Sequence, residues 1–228
     1  MLSVKKGLQC IGKPNGQSIV SDLFGYVEVP KRISLRKQLE LLQGTHYHVN
    51  VICVAQENFP SGSFKKICNA LQVTREIYEK VNMGIGRIEW FNIDAGTAGN
   101  KAIIDDSNEA WSLTSDWTVA NDGLDLFVVR DIIGADGWSP LNGWCDKNNL
   151  GMTGSVVSLK GSDGNIANTF AHEMGHYLGL DHIQNTTNFI GDTTGANTGA
   201  SNSNTGILDS QGDILKMHCF MKNGCQIS

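Results

Sequence analysis

Between positions 172 and 182 the chain reads His172-Glu173-Met174-Gly175-His176-Tyr177-Leu178-Gly179-Leu180-Asp181-His182, and this spacing restricts the fold more than any other stretch. On an α-helix, residues four apart share a face, so His172 and His176 aim two imidazoles at one point. Glu173, beside the first imidazole, can reach a water at that point without ligating a metal there, which is the placement of a general base. Gly179 lacks a Cβ and can take the left-handed conformation that ends a helix, so the chain can turn back and bring in His182. Three neutral nitrogens leave one position of a tetrahedral zinc ion open. A structural zinc would be closed by four protein ligands, usually including cysteine, and no cysteine falls within these residues.

The stretch resembles the metzincin zinc metallopeptidases, and Leu178-Gly179-Leu180-Asp181-His182 is most similar to the matrixin branch. The resemblance covers residues 45–228. It implies an α+β fold with a twisted, mostly parallel five-stranded sheet that carries an antiparallel edge strand. A backing helix, an active-site helix and a small irregular C-terminal subdomain with one helix complete it. Residues 1–44 are then an N-terminal extension and 45–228 the catalytic domain, with an upper subdomain at 45–182 and a lower one at 183–228. The implied chemistry is hydrolysis of internal peptide bonds of proteins, with one catalytic Zn2+ on His172, His176 and His182 and with Glu173 moving the proton.

The chain in order supports that architecture. Tyr47 to Ala55 is rich in Val, Ile and Cys, as a central strand buried on both faces would be. Phe64 to Val81 has helical apolar spacing, with Ser61 or Ser63 as the expected cap. Gly86 to Ile93, Leu124 to Arg130 and Thr153 to Leu159 read as further strands, separated in part by a Gly, Asn and Asp rich stretch that holds Trp111 and Trp117. Gly137 to Trp144, short and containing Gly and Pro, reads as the edge strand or its approach, and in the family such an edge pairs with an extended substrate. Leu208 to Met217 is expected to form the C-terminal helix. Ile33 to Gln43 is a second amphipathic candidate, closed by Gly44.

The pattern departs from the family in one place. Metzincins set a methionine in a turn beneath the metal, and counting forward from His182 puts Ile190 there. The alternatives are Met217 or Met221. An aliphatic residue of similar size can supply the same apolar floor. At the other end, Cys10-Ile11-Gly12-Lys13-Pro14-Asn15 weakly resembles the segment with which matrixin zymogens cap their zinc, although the spacing is off by one; a disulfide or a buried thiol competes with that reading.

At a formal net charge of -5, with no basic tract, the chain carries no sign of a nucleic-acid or anionic-membrane partner. No apolar run spans a bilayer, and Met1 to Gly12 lacks the apolar core of a signal peptide. Six cysteines favour an oxidising, extracytoplasmic setting for a secreted monomer. Cys219 and Cys225 form a candidate local bridge, and Cys53 and Cys68 read as small core residues. Clustered Asp and Asn around Asp192 raise calcium, with nothing further to support it. Two alternatives stand beside the peptidase: a zinc-dependent binding module without turnover, and a peptidase held latent by residues 1–44.

Overall fold

The ten-residue run Thr45–Val54 (β2) lies inside a sheet in this computed structural model, which describes residues 8–10, 42–148, 151–185, 187–191 and 204–224. Around it the chain forms β1 (Leu8–Cys10), α1 (Ser63–Glu79), β3 (Met83–Ile93), α2 (Ala95–Ala98), β4 (Ile103–Ile104), α3 (Ser107–Trp117), β5 (Gly123–Val129) and β6 (Asp131–Ile132). It continues through β7 (Gly137–Trp138), β8 (Ser155–Ser158), α4 (Asp163–Tyr177), α5 (Asp209–Lys216) and β9 (Lys222–Asn223). The main sheet runs β1-β3-β2-β5-β8-β7, with β9 beside β2. Pairings among β3, β2, β5 and β8 are parallel, and β7 joins β8 antiparallel.

Those five strands are the expected sheet, and β1 and β9 widen it to seven. Strands of two or three residues carry too little alternation to be read in advance. The strand β1 corrects the reading of Cys10. It pairs antiparallel with β3, Cys10 opposite Phe91, at the margin of the sheet opposite β7. Five strand spacings of about 4.8 Å put the Cys10 backbone roughly 24 Å from β7, so it does not lie over the histidines. Residues 33–41 of the helix expected at 33–43, and the calcium candidate Asp192, lie outside the described residues.

Burial of both sheet faces explains the continuous apolar strands. Tyr47, Val49, Val51 and Cys53 of β2 face a core shared with α1 and α4, while Ile52 and Val54 face a second core under α3. Leu126 and Phe127 of β5 divide in the same way. Two local expectations are corrected. Gly62, at φ 83, caps α1, where a serine was expected, and Ser63 donates instead to the Pro60 carbonyl at 2.7 Å. The polar stretch around Trp111 contains α3, started by Asp106, whose carboxylate accepts from Asn108 N and Glu109 N and thereby satisfies the first free amides.

Cys53 and Cys68 are free thiols; Cys53 is a core residue as read, and Cys68 is only half-buried. Cys219 pairs with Cys145 and not with Cys225, which lies outside the described residues. The bridge spans 74 residues, and local spacing holds no information about a contact made by the fold. It fastens the loop after β7 to the end of α5.

Candidate metal centre

The helix α4 starts at Ser162, whose hydroxyl accepts from Asn165 N. It ends in a Schellman turn: Gly179 N donates to His176 O and Leu180 N to Gly175 O, each at 2.9 Å, with Gly179 at φ 108. This turn redirects the chain and returns His182 to the helix. The three Nε2 atoms of His172, His176 and His182 lie 3.0 Å from one another in all three pairs.

Backbone carbonyls orient two of the rings. His172 Nδ1 meets Phe189 O at 2.9 Å and His176 Nδ1 meets Leu180 O at 2.7 Å. A carbonyl only accepts, so each Nδ1 carries the proton and each Nε2 keeps a lone pair aimed at the common point. Burial lowers His172 to about 4, helped by the neighbouring His176, and burial likewise lowers His176. Both rings are therefore neutral at neutral pH. Zinc–nitrogen bonds of about 2.0–2.1 Å at tetrahedral angles set ligand nitrogens roughly 3.3 Å apart, so this cluster fits the ion after a shift of about 0.3 Å.

The Phe189 carbonyl is itself held in place. Phe189 N donates to Gly206 O at 2.9 Å, Ile190 N to Asn188 Oδ1 at 3.0 Å, and Asn188 Nδ2 to Gln211 Oε1 at 2.8 Å. Ile190 is buried under α4. Gly175 permits that approach: a Cβ there would stand 2.9 Å from Phe189 Cε2 and 3.3 Å from Ile190 Cδ1. Of the two alternatives for the floor, Met217 is 77% exposed and Met221 packs half-buried against the core.

Glu173 is buried on the sheet side of α4, against Gly137 of β7. Burial raises its carboxyl to about 8, reinforced by the nearby Asp136. The loop after β7 then follows the helix: Asn142 N donates to His176 O at 2.9 Å, Gly143 N to Tyr177 O at 2.7 Å, and Tyr177 Oη to Trp144 O at 2.8 Å. From the sequence this loop was read as an edge or its approach, without these anchors. Its glycines were the available signal, since each one marks a close approach. Among the described residues one further group, Cys145, His218 and Cys219, gathers ligand-type atoms, and its two sulfurs are joined as the disulfide.

A seven-stranded sheet thus lies against a helix that carries two of three converging histidines. The family model described as metallo-peptidase family M12B, reprolysin-like, matches residues 64–183, and the chain belongs to that family. The family is one of metallopeptidases, and the fold is similar to that of solved metallopeptidase structures. Archaemetzincin from Methanopyrus kandleri is similar at a TM-score of 0.51 and 10% identity, over 76% of this chain and 95% of that one. Metalloproteinase-II from Bacteroides fragilis is similar at 0.52 and 12%, over 78% and 54%. A chain from a chaperone–substrate complex is similar at 0.51 and 15%, over 77% and 34%. This chain thus spans about a third to a half of two of them, and at these identities the likeness concerns the fold. No curated protein matches the chain by sequence. No described helix is long and apolar enough to cross a membrane.

Proposed function

We propose that the chain is a zinc endopeptidase in which His172, His176 and His182 hold the ion and Glu173 is the acid–base catalyst. The observation that carries this reading is the mutual 3.0 Å approach of the three Nε2 atoms, with Glu173, next in the chain to His172, buried on the same helix. Three imidazoles suit zinc, and an ion held by three protein ligands supplies Lewis acidity to a water and to the scissile carbonyl.

The chain's own groups do the rest. Glu173 takes a proton from the attacking water on its carboxylate and returns it to the leaving amine. Burial raises the proton affinity of Glu173, which suits uptake of the proton, and a cation held by the three histidines would favour the ionised form from which the transfer begins. The substrate enters along β7, the last strand of the sheet. Gly137 lies opposite Val157, and Ser158 N donates to Asp136 O at 2.9 Å. That places Gly137 and Val157 in a non-hydrogen-bonded pair, so the amide and carbonyl of Gly137 face the free edge. An extended peptide pairs there and runs past the histidines in both directions, which favours internal bonds.

The finer readings belong to the same proposal. Leu178 to His182 keeps its matrixin likeness within a reprolysin-like chain, and Ile190 takes the floor position that a methionine holds elsewhere. Residues 1–44 are an extension to the catalytic domain 45–228 that lends the strand β1 to its sheet, the Cys145–Cys219 bridge favours an extracytoplasmic enzyme, and we read the enzyme as a monomer.

The test is cleavage of casein with and without a zinc chelator, by the chain and by Glu173→Gln, with zinc content measured in both. Cleavage by the chain that stops with chelator, together with a variant that binds zinc and is slowed about 10²–10⁴-fold, is the expected result. Zinc without cleavage in the unmodified chain, before and after removal of residues 1–44, would leave the binding-module reading.

A further inference from the structure

We propose that Gly137 is a positioning residue that sets where the Glu173 carboxylate stands, an inference that rests on the role proposed for Glu173. A Cβ built on Gly137 falls 2.5 Å from Glu173 Cγ and 2.7 Å from both Cδ and Oε1. Carbon atoms in good contact lie about 3.5–4.0 Å apart, so any side chain at 137 overlaps Glu173 by roughly an ångström. The backbone does not demand glycine at this position, because Gly137 is not among the glycines with positive φ. Close approach is what the missing Cβ provides.

Neither main chain can easily withdraw. Trp138 is paired with Val156, Ser139 Oγ meets Ser155 Oγ at 2.8 Å, and Ser155 Oγ donates to Glu173 O at 3.2 Å. Further along, Asn142 N and Gly143 N are bonded to the carbonyls of His176 and Tyr177. Gly143 repeats the device one helical turn on, where a Cβ would stand 2.3 Å from Tyr177 Cζ. With strand and helix both pinned, the movable part of the contact is the end of the Glu173 side chain. A methyl group at 137 therefore displaces the carboxylate and leaves the helix where it is.

The same residue faces two ways. Its outward amide and carbonyl are the groups offered to a substrate strand, and its inward Cα lies on the general base. Alanine keeps the outward groups and changes the inward contact, so a KM-against-kcat split separates this role from a loss of binding.

Gly137→Ala is expected to keep one zinc per chain and a KM within about threefold, while kcat falls about 10²-fold, as a displacement near 1 Å from the productive geometry does. In a Glu173→Ala background the atoms struck by the new methyl are gone. There Gly137→Ala should leave the denaturation midpoint unchanged, whereas beside Glu173 it lowers the midpoint of a protein that still folds and binds zinc. Wild-type kcat in Gly137→Ala, with Glu173→Gln inactive, overturns this inference and leaves the proposed function standing. An equal loss of stability in both backgrounds also overturns it. Full activity in Glu173→Gln instead overturns the role of Glu173 and this inference with it.

Discussion

Lys147 Nζ and Asp125 Oδ1 meet at 2.6 Å with both side chains buried, which ties the loop after β7 to the beginning of β5. Asp125 also accepts from Asn50 Nδ2 at 2.6 Å, Thr118 Oγ1 at 2.7 Å and Val119 N at 2.9 Å, so its charge is fully engaged. The Lys147 ammonium lies over the Phe220 ring as well, 5.5 Å from its centre.

Removing one partner strands the other. Lys147→Met leaves the Asp125 carboxylate buried without a cation, at a cost of about 3–5 kcal/mol. Adding Asp125→Asn removes the stranded charge and should recover much of that loss. Urea denaturation of the two variants checks the order; a double variant no more stable than Lys147→Met would show that the amide cannot serve the remaining donors.

The Cys145–Cys219 bridge fastens the same loop from its other side. Closing 74 residues of unfolded chain corresponds to about 4 kcal/mol in the chain-entropy model. Cys145→Ser with Cys219→Ser should lower stability by about 2–4 kcal/mol, read as the calorimetric midpoint with and without a reductant. Reductant should shift the unmodified chain toward the double variant and leave the variant itself where it is.

Glycine inside a helix costs about 1 kcal/mol relative to alanine, yet Gly175→Ala is expected to harm this protein. The new Cβ meets Phe189 at 2.9 Å and displaces the segment whose carbonyl orients His172. Loss of such an orienting partner typically weakens metal binding about 10–100-fold. Competition with a chromophoric chelator measures it. Zinc affinity equal to that of the unmodified chain would show that Phe189 moves without disturbing the ring.

The residues that fall legibly in the sequence are those whose spacing is local. His172, His176, Gly179 and His182 lie within eleven positions, so helical geometry and one left-handed turn account for their convergence. The strands β2 and β5 were readable for the same reason, each being a largely apolar run in its own right, and β3 showed from Gly86 onward by its β-branched and aromatic residues. What was missed depends on contacts between distant segments. Gly137 of β7 against Glu173 of α4, and Cys145 and Lys147 of the loop after β7 against Cys219 and against Asp125 of β5, are contacts that only the folded chain makes. The cap at Gly62 was missed for another reason: serines on either side invite a side-chain cap, whereas the helix starts at a left-handed glycine with no side-chain cap bond and Ser63 bonds back to Pro60.

The last prediction concerns Glu173 in the zinc-free protein. Its carboxyl is raised from 4.5 to about 8 in the fold, first by burial and then by Asp136. In the unfolded chain it ionises near its ordinary value, so between those two pH values the folded state holds a proton that the unfolded state has released. Stability from this group is therefore complete below about 4.5 and is lost as pH rises through about 8. Glutamine has no proton to lose. Glu173→Gln should match the unmodified protein near pH 4.5 and become more stable by a few kcal/mol above pH 8. His172 titrates in the opposite sense over pH 4 to 6.5, but it is present in both proteins, so the difference between them isolates Glu173. Denaturation midpoints of the two zinc-free proteins across pH 4 to 9 supply that difference, and a gap that stays constant with pH would mean that Glu173 ionises as freely in the fold as in water.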